Sequence, residues 1–432
     1  MKLNLLDVNI VSGPVVITIY VIAAAFLLYL LIRPWSRWWL RTALLTIAIS
    51  AALAIATLLV VERGLKLIDA PLGADSHAWV VATFVGVGLA VVNLFRSRWW
   101  RKVLAVLGIV SFALAATVGI NAAFGINPTV GAFLHIVESK PISVAKPTAT
   151  PSDAPTGPLY QSWKPPADMP ALGRTGTQVI PGLLSGFKAR TAGIYLPPAA
   201  LVKNPPALPL MIMMMGQPGD PNPAFMQQAL DATAVAHNGL APIVIVADQL
   251  GNPNTDTLCI NSKKFGNVET YITQDVPNWA KANLNISHNP AEWTIAGYSN
   301  GGGCAIYYGA VHPDIFKNVV DISGEDYPGA SEASASLKSM FDGNMAAYDA
   351  IKPLRIMKDR QYPGTTAIFT GGSKDPDYSA AAARVAAGAR AAGMATTLFS
   401  VPGAGHGADA LVGGMRMAAG VLFPVLGLEA KS

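Results

Sequence analysis

Four long apolar runs in the first third of the chain constrain its fold more than any other feature. They cover residues 15–32, 42–61, 78–95 and 103–124, and none contains Asp, Glu, Lys, Arg or His. Helices buried in a soluble protein keep a polar face, which these runs lack. About 18–22 helical residues span the ~30 Å hydrocarbon core of a bilayer. The sequence therefore predicts a domain of four transmembrane helices within residues 1–125.

The loops between these runs predict the orientation of the chain. The first and third loops carry only basic charges: Arg33, Arg37, Arg41, Arg96, Arg98, Arg101 and Lys102. By the positive-inside rule, both loops face the cytoplasm, so both termini lie on the extracytoplasmic side of the cytoplasmic membrane. The net charge of +5 is explained partly by these loops. It does not indicate a nucleic-acid partner.

The remainder of the chain changes composition twice. Residues 126–172 include the stretch PISVAKPTATPSDAPTGP, which has too few apolar side chains to form a core and predicts an extended linker. Residues 173–432 alternate short apolar runs with Ala-rich stretches. This alternation predicts an extracytoplasmic α/β domain, with a mostly parallel sheet covered by helices on both faces.

The predicted elements of this domain follow from the same alternation. Buried strands are predicted at 177–180, 188–196, 210–215, 243–247, 293–296, 319–322, 367–370 and 397–401. The first two of these are expected to be antiparallel and to lead into the sheet. Helices are predicted at 224–237, 271–283 and 378–392.

The sequence Gly297-Tyr298-Ser299-Asn300-Gly301 is the most specific chemical motif. This G-x-S-x-G pattern follows a predicted strand and precedes a glycine-rich helix start, which is the context of a nucleophile elbow. In such an elbow, a strained turn exposes the serine hydroxyl, and small neighbours avoid steric clashes. Ser299 is therefore the predicted nucleophile.

A serine nucleophile needs a base and an acid that orients the base, and in α/β-hydrolases they follow the serine in the order acid, then histidine. Among six histidines, His406 lies in a glycine-rich loop after the last predicted strand and is the predicted base. Asp375 follows the strand at 367–370 and is the predicted acid. Asp377 is an alternative, because it lies only two residues away in the same loop. Asp409 is a weaker alternative.

Backbone amides are expected to bind the oxyanion. The amide of Asn300 follows the nucleophile, and Gln217 is the candidate second donor, because Pro218 has no N–H. The two cysteines, Cys259 and Cys304, both fall in the outer domain, where they either form a disulfide or remain buried thiols. Their spacing does not indicate a zinc site.

Residues 173–432 resemble the "putative esterase" branch of the α/β-hydrolases, which includes esterase D-like enzymes, feruloyl esterases and the antigen 85 mycolyltransferases. The resemblance rests on FKARTAGIYLPP, MMMGQPG, NVETYITQDVPNW, WTIAGYSNGGGCA, HPDIFKNVVDISG and GGSKDPDY. It implies Ser299, Asp375 and His406 as the catalytic triad and favours a Cys259–Cys304 disulfide. Four spans joined to such a domain resemble actinobacterial envelope hydrolases. Many relatives carry His-Gly in the oxyanion loop, whereas here Gly216 follows Met215.

These features together predict a membrane-anchored serine hydrolase that acts through an acyl-serine and needs no metal or organic cofactor. The expected partners are the lipid bilayer and a lipid or cell-envelope ester, such as an acylated or aminoacylated lipid. An acyltransferase of mycolyltransferase type is the first alternative. A non-catalytic binding or scaffold protein is the second.

Overall fold

The apolar runs near the N-terminus form four long helices. The computed structural model describes residues 4–34, 36–64, 72–136, 140–144 and 157–430. Two compact units are found, Met1–Ile136 and Val137–Ser432, which we call the helical unit and the outer unit. The predicted linker, residues 126–172, falls partly in each, and its residues 137–139 and 145–156 lie outside the described residues.

The described part of the helical unit contains four long α-helices and one short α-helix. The helices are α1 (Pro14–Leu31), α2 (Arg37–Leu59), α3 (Ala74–Leu94), α4 (Trp99–Phe124) and α5 (Val130–Phe133). α2 and α4 begin earlier than predicted, because arginine and tryptophan continue each helix before its apolar run. Most of their apolar side chains face outward, which is compatible with a membrane-anchored protein.

Polar groups connect α1, α3 and α4 at the ends of these helices that we predict to face the cytoplasm. Arg101 donates to the carbonyl oxygens of Tyr29, Leu30 and Ile32 at 3.0–3.1 Å. Its Nε also donates to Asn93 Oδ1 at 2.6 Å. These carbonyls lie at the end of α1 and have no donor within the helix, so Arg101 satisfies their hydrogen bonds. Arg101 is also one of the basic residues that predict the orientation of the chain.

The outer unit is built on an eight-stranded sheet of order β1-β2-β4-β3-β7-β8-β9-β10. The strands are β1 (Arg174–Gln178), β2 (Ala192–Leu196), β3 (Leu210–Met214), β4 (Ile243–Ala247), β7 (Trp293–Tyr298), β8 (Asn318–Ile322), β9 (Thr366–Gly372) and β10 (Ala395–Val401), with a separate hairpin of β5 (Asn261–Ser262) and β6 (Gly266–Asn267). All pairs from β4 to β10 are parallel, and β2 is antiparallel to both β1 and β4. The predicted α/β-hydrolase architecture is confirmed.

Helices cover this sheet, and some of their features were not predicted. The helices are α6 (Leu159–Ser162), α7 (Ala224–Ala236), α8 (Val268–Thr270), α9 (Val276–Asn283), α10 (Asn300–Val311), α11 (Ala333–Phe341), α12 (Met345–Ala350), α13 (Pro353–Lys358), α14 (Pro376–Ala391) and α15 (Ala408–Val425). The predicted helix at 271–283 begins with a π-helical turn, Tyr271–Asp275. α11 to α13 form an unpredicted insertion between β8 and β9. α15 is a fifth helix long and apolar enough to cross a membrane, but it packs on β8 and β9.

A disulfide joins Cys259, in the loop after β4, to Cys304 on α10. The two Cα atoms lie 5.7 Å apart, and 45 residues separate the cysteines along the chain. Tyr308, one turn further along α10, donates its hydroxyl to the carbonyl of Cys259 at 2.7 Å. The loop after β4 is thereby fixed to α10, the helix that directly follows Ser299.

Removing this disulfide with Cys259→Ala/Cys304→Ala should lower the melting temperature of the detergent-solubilised chain. Closing a loop of this length restricts the unfolded chain by up to ~4 kcal/mol. A reductant should lower the melting temperature of the wild type towards that of the double variant and leave the variant unchanged. Equal sensitivity of both proteins to the reductant would contradict a stabilising disulfide.

Candidate active site

Ser299 lies at a sharp turn between β7 and α10. Its φ of 55° and ψ of −120° are a conformation that a side chain disfavours. The turn is held by its surroundings, since the Ser299 amide donates to the Ile322 carbonyl of β8 at 2.9 Å. Small residues are obligatory on both sides. A Cβ on Gly297 would overlap the Gly301 carbonyl, and one on Gly301 would overlap the Met214 carbonyl.

The structure brings Ser299, His406 and Asp375 into one hydrogen-bonded chain. His406 Nε2 lies 2.9 Å from Ser299 Oγ, and His406 Nδ1 lies 2.8 Å from Asp375 Oδ2. Asp375 is 2% exposed and lies in the turn between β9 and α14, whereas His406 precedes α15. Three strand ends of the parallel sheet thus deliver a nucleophile, a base and an acid to the same edge.

The competing acids are placed elsewhere. Asp377 lies in the first turn of α14 and Asp409 in the first turn of α15, and both are exposed. The other histidines with an ion-pair partner among the described residues contact glutamates: His77 with Glu62, His237 with Glu429, and His312 with Glu269. Of the described histidines, His406 is the one whose ring contacts Ser299.

Two tyrosines hold the imidazole of His406 between them. The ring centroid of Tyr378 lies 4.0 Å from that of His406, and the ring centroid of Tyr298 lies 5.3 Å from it. Tyr298 is the residue before Ser299 in the G-x-S-x-G motif, and Tyr378 lies one helical turn beyond Asp375. The tyrosines restrict the ring rotation that would break the contacts to Ser299 and Asp375.

The two predicted oxyanion donors flank the nucleophile. Asn300 is the first residue of α10, so its amide has no acceptor within the helix. Gln217 follows Gly216, and a Cβ on Gly216 would lie 3.2 Å from Ser299 Cβ. The loop after β3 therefore passes directly beside Ser299, and the α10 N-terminus adds a positive dipole end at the same place.

The sequence did not indicate Gln249 and Asp256, which order this part of the site. Gln249 Nε2 donates to the Met215 carbonyl at 2.6 Å and to Asn300 Oδ1 at 3.1 Å. Asn300 Nδ2 in turn donates to Asp256 Oδ1 at 3.1 Å. This network links the two loops that carry the candidate oxyanion donors. The available signal was slight, since Gln249 is one polar residue just beyond a buried strand.

Asp321 is a second carboxyl group buried behind the elbow. It lies opposite Gly297 in the β7–β8 register, and a Cβ on Gly302 would lie 2.5 Å from its Oδ1. Neither carboxyl oxygen has a hydrogen-bond partner in good geometry among the described residues. Burial raises the pKa of Asp321 to about 7, from an ordinary value of 3.8. Within the described part of the chain, no group of three or more His, Cys, Asp or Glu residues is placed to hold a metal ion.

A comparison with protein families shows what this domain is similar to. Residues 188–393 match the family model described as "Putative esterase". The matched segment, together with the hydrogen-bonded Ser299, His406 and Asp375, supports a serine esterase. The matched residues include Ser299 and Asp375, and they end before His406, so the model covers the elbow and the acid but not the histidine.

Individual proteins similar to this chain include a relative with the same extent. An uncharacterized protein of Corynebacterium glutamicum is 29% identical over 411 residues, which cover 91% of each chain. The match therefore includes both the helical unit and the esterase domain. Among solved structures, an S-formylglutathione hydrolase from Agrobacterium tumefaciens has a TM-score of 0.48 and 16% identity, covering 60% of this chain and 98% of its own. A ferulic acid esterase has a TM-score of 0.47 and 14% identity, with coverages of 59% and 99%.

Asp321→Asn should change how stability depends on pH. Between pH ~4 and ~7 the folded protein keeps a proton on Asp321 that the unfolded chain releases, so the free energy of unfolding falls as pH rises and levels off above pH ~7. The raised pKa corresponds to a change on the order of 4 kcal/mol over this range. Melting temperatures at pH 5 and pH 8 should therefore converge in Asp321→Asn.

Asp314→Asn, at an exposed aspartate, is the matched control and should keep the wild-type dependence. Parallel melting curves for wild type and Asp321→Asn across this range would show that Asp321 does not carry the proton.

Proposed function

We propose that this chain is a membrane-anchored, extracytoplasmic serine esterase that cleaves a lipid or cell-envelope ester. The observation that carries the proposal is the continuous hydrogen-bonded chain from Asp375 through His406 to Ser299, at an elbow where Ser299 has a positive φ. This arrangement performs nucleophilic acyl transfer, and the match to an esterase family supports an ester as the substrate.

In the proposed reaction, Ser299 Oγ attacks the ester carbonyl carbon while His406 Nε2 takes the hydroxyl proton. The buried carboxylate of Asp375 holds Nδ1 and stabilises the imidazolium that forms. His406 then returns the proton to the departing alcohol, leaving an acyl-serine. A water molecule attacks this intermediate with His406 again as base, and the free acid departs as Ser299 recovers its proton.

The negative charge that develops on the carbonyl oxygen is stabilised by the amides of Asn300 and Gln217. The amide of Asn300 is fixed by the helix, and the loop bearing Gln217 is fixed through the contact of Gln249 with Met215. Donors that are already in place do not reorganise during the reaction, which is why they lower the barrier.

The membrane setting is supported by the helical unit. Its four long apolar helices match a bilayer in length. With four spans, the esterase domain would lie on the same side of the membrane as the N-terminus. The basic first and third loops support an orientation in which that side is outside the cytoplasm. An esterase fixed beside a bilayer meets ester lipids at high local concentration, so acylated or aminoacylated lipids are the substrate class that we propose.

A fluorophosphonate should label the full detergent-solubilised chain at one residue, Ser299, as mapped by peptide mass spectrometry. Labelling should disappear in Ser299→Ala, because the nucleophile is removed. It should slow at least ~100-fold in His406→Ala, because the general base is lost. His288→Ala, at an exposed histidine, is the control and should label at the wild-type rate.

Labelling that persists in Ser299→Ala, or a folded wild type that is not labelled, would contradict the proposal. Product analysis with a lipid ester then separates two reactions of the same acyl-serine. Free acid as the product supports the esterase, whereas a new ester formed when a glycolipid hydroxyl is supplied would identify an acyltransferase.

A further inference from the structure

An exposed apolar loop follows the first strand of the esterase domain. This apolar loop, residues 179–184, carries Val179, Leu183 and Leu184, which are 69%, 83% and 59% exposed. The mechanism proposed above uses none of these side chains. Large apolar side chains that are grouped and exposed commonly mark a surface that binds a membrane or a protein.

The apolar loop is held in this exposed form by a buried carboxylate. Asp275, 4% exposed, accepts hydrogen bonds from the amides of Leu184 and Ser185 at 2.8 and 3.0 Å. The carbonyl of Ser185 accepts another from Asn267 Nδ2 at 2.9 Å. A loop fixed in this way cannot fold its leucines inward, so their exposure is a property of the fold.

Basic residues surround the apolar loop. Asn267 belongs to the β5–β6 hairpin, residues 261–267, which carries exposed Lys263 and Lys264 at its tip. We call it the basic hairpin. Lys188, also exposed, lies four residues beyond the apolar loop, and neither 170–190 nor 261–268 contains an acidic residue. Apolar side chains bordered by lysines are typical of surfaces that bind bilayers with anionic headgroups.

The sheet topology puts the apolar loop on the catalytic edge. β1 and β4 are both antiparallel to β2, so β1 ends at the same edge of the sheet as the parallel strands that deliver the catalytic residues. Phe187, just beyond the loop, lies beside Gly251, because a Cβ on Gly251 would be 3.2 Å from its Cζ. Gln249, two residues earlier, contacts Asn300 next to the nucleophile.

The chain also enters the outer unit at β1. The amide of Ile142 donates to the Thr177 carbonyl, and the Thr177 amide donates to the carbonyl of Lys140 at 2.9 Å. Lys140 is only 16 residues beyond Phe124, where the last long apolar helix ends. The apolar loop begins two residues after Thr177, so residues 140–142 pair with β1 just before this loop.

We propose that the apolar loop and the basic hairpin together contact the bilayer and face the catalytic edge towards it. The occupant of this surface is a lipid bilayer with anionic headgroups, and the inference rests on the membrane setting of the proposed function. Two leucines bind a bilayer weakly by themselves. The four anchoring helices keep them at high effective concentration beside it, so weak contacts are sufficient.

Contact with lipid can be measured on the full chain in nanodiscs of phosphatidylcholine and phosphatidylglycerol. Leu183→Cys introduces a free thiol, since both native cysteines are in the disulfide. The emission of an environment-sensitive dye attached to this thiol should shift to the blue and be quenched by spin-labelled lipid. Val235→Cys is the control, because Val235 is 57% exposed near the end of α7, which returns the chain to the opposite edge of the sheet.

Equal quenching of the dye at residues 183 and 235 would overturn the proposal. A dye at residue 183 that is shielded from water but not quenched by lipid would also overturn it, since a protein would then cover the loop. This measurement does not depend on catalysis, so it holds even if the esterase assignment fails.

The consequence for activity is tested with Leu183→Ser/Leu184→Ser and with the control Val235→Ser. The ratio of turnover of a long-chain ester lipid in nanodiscs to turnover of a soluble short-chain ester should fall at least about fivefold in the double variant. It should stay at the wild-type value in Val235→Ser. An unchanged ratio in the double variant would overturn the proposal, whereas a wild type inactive on both esters would refute only the proposed function.

Discussion

The close approach of backbone around Ser299 is the constraint on which the rest of the site depends. The serine adopts a positive φ because Gly297 and Gly301 let β7, α10 and β3 approach more closely than any side chain would permit. That approach brings the hydroxyl to His406. Through the same turn, it directs the first amides of α10 towards the place where an oxyanion forms. A larger residue at either glycine would separate the nucleophile from its amide donors.

The parallel sheet extends this arrangement to the whole catalytic edge. Because β3, β7, β9 and β10 point the same way, the loops after them meet at one edge and bring together residues far apart in sequence. β2 is antiparallel to both β1 and β4, so β1 runs in the same direction as the parallel strands. The exposed leucines of the apolar loop, which follows β1, therefore lie at this edge as well. Catalysis and the proposed membrane contact therefore follow from one topology, with the disulfide and Gln249 fixing the loop after β4.

Much of this could be predicted, because the motifs are local and the constraints strong. Uncharged runs of about 20 residues indicate spans, and G-x-S-x-G between strand and helix indicates an elbow. The choice between Asp375 and Asp377 needed coordinates, since only the turn after β9 decides which carboxylate reaches His406. Asp321 and Gln249 had no spacing signature, as each acts through contacts across the sheet. α15 has the composition of a span, and its packing on the sheet was evident only in three dimensions.

The most direct test of the central claim is to trap the acyl-enzyme. The full chain would be mixed with an ester lipid, quenched in acid within milliseconds of turnover, digested, and mapped by mass spectrometry. The account predicts an added mass equal to the acyl group on the peptide containing Ser299, which forms more slowly in His406→Ala. Release of free acid with no adduct on Ser299, or an adduct on a different residue, would contradict it.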